Sequence, residues 1–294
     1  MNNSSNNNLI NLPPVYLRGK NLSSMNFVVK IVYIFLGKIL GYLTLWTNKG
    51  LFCSIINLVY KNDGKIFYRD KNYIKKTISG KEIAFPNKRV LRLVNKFDVQ
   101  IQKFRDAYLL DLVPISNNDT VIDCGANIGE LNLALKEKDL SIKYIAFEPE
   151  KSVFNCLEMN NKEDKNELFN IGLSNESGVK KFYIDTEGGN SSFVDFGSEN
   201  YKEIEVIQLD KIIPKDRKIK LLKIDAEGYE PEVLEGAKNI INNIDYISVD
   251  FGGERGVNED TTIIEVNNFL YENNYRMIAI SNIRMVGLYK RNNI

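Results

Sequence analysis

The sequence predicts an α/β protein: a doubly wound, mainly parallel sheet, with a helical and β-hairpin appendage ahead of it. Three observations predict it. Thr120–Glu130 reads TVIDCGANIGE, a β-branched strand end, a glycine turn and then the helix formers Leu131, Leu133, Ala134 and Leu135. A second strand, SIKYIAF, ends in Glu148, 23 positions after Gly125. From Thr120 onward, strand-like and helix-like runs alternate, which is the signature of a parallel sheet covered on both faces.

The elements follow in order. Residues 1–10 open as a polar, low-complexity tail, MNNSSNNN, expected to be disordered. Residues 11–98 form a basic helical and β-hairpin region, and 99–294 the main domain. Within the basic region, Asn26–Lys49 is the most apolar stretch, with Asn26, Lys30, Gly37, Gly41, Thr44 and Asn48 on one stripe. Three readings stay open for it: a helix packed on the main domain or a second subunit, a monotopic interfacial helix, or a membrane span weakened by Lys30 and Lys38. Residues 65–94 read as β structure with a hairpin at Ser79–Glu82, and Gln100–Val113 as a helix stopped by Pro114.

In the main domain, strands are predicted at 120–124, 142–148, 167–171, 178–185, 203–208, 219–224, 245–251, 275–280 and 284–290. Helices are predicted at 128–138, 150–161, 230–242 and 261–273, with Pro231 suited to a first turn.

Composition narrows the chemistry. The chain has 294 residues and no histidine, so a histidine base, a Ser-His-Asp triad and a histidine metal site are excluded. Cys53, Cys124 and Cys156 are scattered and odd in number, as expected of reduced thiols in a cytoplasm. Net charge is +1, but residues 1–98 carry 16 basic against 4 acidic residues, a balance of +12, and the rest carry −11. The basic part is expected to meet something anionic.

Strand, glycine turn and helix form the front half of a nucleotide-binding βαβ unit, with Glu148 where a ribose presents its hydroxyls. A dinucleotide GxGxxG pattern would need glycine at 127 and 130, where Asn127 and Glu130 stand. The pattern is DxGxNxG instead. TVIDCGANIGE, AFEPE, FNIGLS, GGNSS and LLKIDAEGYEPEVLEGA occur in order at fitting distances. Together they resemble the FkbM-type family of S-adenosylmethionine-dependent class I methyltransferases over about residues 95–280, a Rossmann-like fold.

That resemblance implies a cofactor site of Asp123, Gly125, Ala126, Asn127, Gly129, Glu148, Asn170 and Leu173. Asp123 would accept from the methionine amino group, Glu148 would hold the ribose, and the Asn170–Leu173 turn would border adenine. It implies S-adenosylmethionine as cofactor and O-methylation of a hydroxyl on a sugar, a lipid-linked glycan or a secondary metabolite. Asp225, Glu227 and Asp250 follow the later strands at the sheet's ligand-binding edge and are the candidate catalytic carboxylates. Such neighbours raise one another's pKa or hold a divalent cation, which is compatible with the pattern but not called for. Lys223, on the same strand face as Asp225, neutralises the cluster. Capping of the following helix is the alternative use of Glu227, and Ser191 and Ser192 are candidates for substrate contact.

An NAD-dependent oxidoreductase or epimerase is the alternative enzyme, and a non-catalytic module the alternative class. Nucleic acid is not an expected partner, because the basic segment lacks regular aromatic interleaving. Peripheral association with the inner face of a membrane and homo-oligomerisation are left open.

Overall fold

A computed structural model describes residues 26–59, 64–93, 97–162, 166–184 and 191–292. The tail over residues 1–10 and Glu187–Asn190 of the glycine loop lie outside the described residues. The chain divides between Gln100 and Ile101 into two compact units.

In the first unit, α1 (Phe27–Trp46) starts where the Asn26 side chain accepts from the Val29 amide at 2.9 Å. At 1.5 Å per residue it is about 30 Å long. A second helix, α2 (Lys49–Val59), was not expected from the sequence. It covers an antiparallel meander of β1 (Lys65–Arg69), β2 (Asn72–Lys76) and β3 (Glu82–Phe85). Phe52, Ile56, Ile66, Ile83 and Phe85 are buried between them, and Ile74 is buried on the other face of the meander. The Asn57 amide donates to Ile66 O and accepts from Ile66 N, both at 2.7 Å, and so mimics a neighbouring strand at the edge of β1. The hairpin turn falls at Gly80, with φ +90°, as its sequence indicates. Residues 88–93, included in the expected β region, form a 3-10 helix instead.

Helix α3 (Phe97–Ala107) runs through the division point. The helix expected to reach Val113 stops six residues earlier. Leu109 adopts φ +57°, and the Tyr108 carbonyl accepts from the buried Ser248 hydroxyl at 2.8 Å, so this turn belongs to the sheet.

The second unit is built on seven strands: β4 (Thr120–Cys124), β5 (Lys143–Phe147), β6 (Glu167–Phe169), β10 (Ile219–Ile224), β11 (Ile244–Asp250), β14 (Tyr275–Ile280) and β15 (Val286–Arg291). Their spatial order is β14-β15-β11-β10-β4-β5-β6. The five strands from β11 to β6 are parallel, and β14 and β15 close one edge antiparallel. Counted along the chain, the parallel strands follow the Rossmann-like order 3-2-1-4-5, which reverses between β4 and β10. The doubly wound, mainly parallel sheet read from the sequence is therefore the fold.

Side-chain alternation explains the two covered faces. Ile122, Ile145, Leu222 and Ile247 pack with Val233 and Leu234 of α7 (Glu230–Gly236) and Val266 and Leu270 of α8 (Ile263–Glu272). Val121, Tyr144, Ala146 and Leu221 pack with Leu131 and Leu135 of α4 (Glu130–Lys136) and Phe154 and Leu157 of α5 (Lys151–Asn160).

Several boundaries differ from expectation. The third strand breaks after Phe169, and the runs at 178–185 and 203–208 leave the main sheet altogether. They become β8 (Gly178–Tyr183) and β9 (Tyr201–Ile207), which pair with β7 (Gly172–Leu173) in a separate sheet. The short α6 (Leu209–Ile212) leads back to the main sheet. Helix α7 ends at Gly236 rather than 242, where the chain tightens into i→i+3 turns through Ile240, and at Gly236 it lies so close to Ser174 O that a Cβ would overlap it. A small hairpin of β12 (Gly253–Arg255) and β13 (Asp260–Thr261) was not anticipated.

Leu234 is 0% exposed. Leu234→Ala is expected to cost about 2–5 kcal/mol in urea unfolding, whereas Leu112→Ala, at a 55%-exposed position, should stay within about 0.5 kcal/mol. A cost below about 1 kcal/mol for Leu234→Ala would mean that α7 does not seal the sheet.

Candidate active site

The site grows from the point where the strand order reverses. β4 ends in Asp123-Cys124 and runs into Gly125, whose φ is +67°. A Cβ on Gly125 would overlap the Asp225 carbonyl at the end of β10, so only glycine lets the two strand tips touch. The Gly125 and Ala126 amides both donate to Phe147 O, at 3.1 and 3.0 Å, which stitches the turn to β5. Asn127 follows with φ +50°, a conformation asparagine tolerates, and its side chain donates to Glu130 at 3.2 Å. Gly129, at φ +89°, completes the turn by donating to Ala126 O at 2.8 Å.

Glu148, at the tip of β5, is buried. Its carboxylate accepts from the Asn127 amide at 3.0 Å and from the Glu150 amide at 2.9 Å. Each oxygen keeps acceptor capacity beyond that single bond. Burial raises its pKa to about 8, against the two amide donors that favour its charge. An acid pinned in this way beside a glycine turn is an acceptor pair that fits a ribose diol. Asn170 spends its amide nitrogen on Glu148 O and Pro149 O, at 2.9 and 3.0 Å, which ties the β6 tip to β5. Leu173 is buried in the apolar core.

Three strands then place a polar row within one sheet face. Asp123, Lys223 and Ser248 lie side by side in register on β4, β10 and β11. Lys223 is 3% exposed in its side chain, and its ammonium lies 3.0 Å from Asp123 and 3.8 Å from Asp225. It also donates to Gly125 O at 2.8 Å. Burial opposes its charge, yet Asp123 and then Asp225 hold its pKa above the ordinary lysine value. Asp123, 1% exposed, accepts in addition from Tyr144 Oη at 2.7 Å, so its partners in the structure are side chains of the sheet.

Beyond Lys223, Asp225 accepts from the Tyr108 hydroxyl, and the Arg284 guanidinium lies 3.6 Å away. Arg284 also donates to Tyr108 Oη at 2.8 Å and pairs with Asp250 at the end of β11. Burial and then Asp225 push the Asp250 pKa up, and Arg284 pulls it back.

Glu227 occupies φ +50°, and its carboxyl approaches Glu254 of β12. Burial raises its pKa well above the carboxylate range, followed by the charge of Asp225 and the hydrogen bond with Glu254. Oxygens of Asp225, Glu227 and Glu254 lie within 4.8 Å of one another, close enough to converge on one hard cation or to share a proton. The capping weighed for Glu227 falls to Glu230, which accepts from Ala226 N at 3.1 Å and Gly228 N at 3.0 Å. Ser192 is buried and donates to Glu227 O at 2.6 Å, bracing that backbone.

Sequence reasoning assembled Asp225, Glu227 and Asp250 but missed Tyr108, Glu254 and Arg284. Tyr108 and Arg284 come from turns brought together by the sheet order, and Glu254 from the separate β12–β13 hairpin. The one local signal was the cation Arg284 at the entrance to the last strand.

Removing Lys223 strands Asp123 in the interior. Lys223→Met is expected to cost about 3–5 kcal/mol in urea unfolding, and Asp123→Asn with Lys223→Met should recover most of it. A loss below about 1 kcal/mol in the single variant would show that Lys223 does not hold the row together.

Residues 123–277 match the model of the methyltransferase FkbM domain. A hexuronic acid methyltransferase, AglP, of Haloferax volcanii is 27% identical over 150 residues, covering 50% of this chain and 61% of that protein. Methyltransferase sdnD of Sordaria araneosa is 27% identical over 163 residues, 43% of this chain and 63% of that protein. Methyltransferase 1 of Beauveria bassiana is 25% identical over 157 residues, 43% of this chain and 61% of that protein. The matches thus span less than two thirds of these relatives. Among solved structures, a SAM-dependent methyltransferase from Aquifex aeolicus superposes with TM-score 0.38 at 14% identity, over 66% of this chain and 97% of that one. One from Leishmania major gives 0.40 at 12% identity, over 68% and 75%. With the family model covering more than half of its length, the chain belongs to the FkbM methyltransferase family.

Proposed function

We propose that the protein is an S-adenosylmethionine-dependent O-methyltransferase acting on a hydroxyl of a sugar or glycan. The observation that carries this reading is the meeting of the Gly125 turn with the Asp225–Glu227–Glu254 carboxylates where the strand order reverses. That crevice is where open α/β sheets bind their ligands. The sugar acceptor is supported by the likeness to a hexuronic acid methyltransferase.

S-adenosylmethionine, when bound, supplies a methyl group already activated on a sulfonium. The protein's share is alignment and a destination for the hydroxyl proton. In this reading Glu148 takes the ribose hydroxyls, and the turn from Gly125 through Ala126 and Asn127 to Gly129 borders the cofactor. Asn170 and Leu173 belong to the segment that borders adenine, and Asp123 acts on the methionine end together with Lys223.

The acceptor proton passes to the carboxylate group. Asp225, flanked by Lys223, Arg284 and the Tyr108 hydroxyl, supplies a fixed negative charge. Glu227, its carboxyl held against Glu254 within reach of Asp225, is the neighbouring carboxyl through which the proton leaves. Asp250 orients Arg284.

Two measurements test the reading. By calorimetry, S-adenosylmethionine should bind with micromolar affinity, about −7 to −8 kcal/mol. Glu148→Ala should weaken that binding by about 1.5–3 kcal/mol. Tight NAD binding with none for S-adenosylmethionine would refute it.

In turnover assays with a uronic acid or neutral glycan acceptor, Asp225→Asn and Glu227→Gln should each lower the rate by about 100- to 10,000-fold. Cofactor affinity should stay unchanged. Full activity in excess EDTA assigns the cluster to proton handling, and loss restored by added magnesium assigns it to a cation. Near-normal rates in both variants would leave proximity as the whole of catalysis.

A further inference from the structure

We propose that α1 docks the protein on an anionic lipid surface, lying along the interface with the face turned away from Gly37 and Leu40 buried among the lipids. This goes beyond the catalytic reading and does not depend on it.

Three observations within the first unit carry it. The first is exposure. Val28, Ile31, Val32, Phe35, Ile39 and Trp46 are all exposed, Phe35 by 63% and Trp46 by 83%. Only 11% of the helix's apolar window is buried, so it is not the core helix of the unit. A continuous apolar helix surface of this length marks an interaction site.

The second is charge. The helix holds Lys30 and Lys38 and no acid, within a region whose balance is +12. Lys38 flanks the exposed apolar face, lays its stem on it and lifts its ammonium to the phosphate level, whereas Lys30 stands on the stripe with Gly37 and adds only its charge to the helix. A second copy of this helix would bring like charge against like charge. Of the small residues that would allow close helix approach, Gly37 is fully buried and Gly41 partly.

The third is how the helix is held. Lys88 Nζ donates to Thr44 O at 2.8 Å and to Leu45 O at 3.2 Å. With Gly37 and Leu40 buried, one side of the C-terminal half is fixed to the polar unit. A spanning helix would have to leave that contact and place Lys38, near its midpoint, in hydrocarbon, where a charge is costly. In the interface, Tyr42 and Trp46 stand at the depth such amphipathic rings favour.

The test uses the full chain in flotation with phosphatidylcholine vesicles, with and without about a third phosphatidylglycerol. Binding to the anionic vesicles is expected to be at least about tenfold tighter, and to weaken as salt rises. Phe35→Glu with Ile39→Glu should abolish it, and Lys30→Glu with Lys38→Glu should reduce it to the level of the neutral vesicles. Both double variants should keep the wild-type melting temperature and S-adenosylmethionine affinity, which separates lost docking from lost folding.

Three outcomes would overturn the proposal. One is no binding to anionic vesicles at low salt. Another is association that survives high salt and alkaline washing and yields only to detergent, the behaviour of a span. The third is a concentration-dependent dimer, dispersed by Phe35→Glu, in a protein that ignores vesicles.

Discussion

A single buried ammonium governs the architecture of the site. Lys223 is drawn into the sheet by Asp123 beside it and Asp225 beyond it, and it spends a further proton on the Gly125 carbonyl. Desolvating any one of these charges alone would be prohibitive, and only their mutual proximity makes the interior position tolerable. The same contact ties the β4 turn to the tip of β10. The Gly125 turn and the Asp225 carboxylate thus share one electrostatic anchor. Tyr108 and Arg284 extend it outward, linking Asp225 to Asp250 at the end of the next strand.

Features encoded over a few neighbouring residues were legible in the sequence. The Gly125–Gly129 turn, the strand ends at Cys124, Phe147 and Ile224, and the acid at Glu148 are local patterns, and the structure has them where they were read. The parallel sheet followed from their alternation. Element lengths were less legible, because tertiary contacts cut them short. The Ser248 hydroxyl captures the Tyr108 carbonyl where one helix ends, and another gives way to i→i+3 turns after Gly236. Strand membership was not legible either, since β8 and β9 have ordinary strand patterns and yet form their own sheet with β7.

The site shows the same division. Asp225 and Glu227 sit two residues apart and announced themselves together. Arg284 reaches Tyr108 across 176 positions, a distance bridged only because β15 inserts between β14 and β11. Glu254 depends on a hairpin too short to carry a pattern. In a chain without histidine, these remote partners set the surroundings of each carboxylate, so the electrostatics of the cluster belong to the folded state.

The contact between Gly125 and the Asp225 carbonyl also limits how such a site can diversify. The two strand tips have no slack, so this wall cannot recede to admit a bulkier acceptor. The opposite wall is differently made. Ser192 reaches Glu227 from the β7–β8–β9 sheet, and the backbone of Arg255, in the small β12–β13 hairpin, presses on Gly228. Both lie outside the main sheet, and of the two only the hairpin is free of the core, because Phe193 and Val194 beside Ser192 pack against that core. Under the proposed function, changes of acceptor preference have their room in the Gly253–Thr261 hairpin rather than at the Gly125 turn.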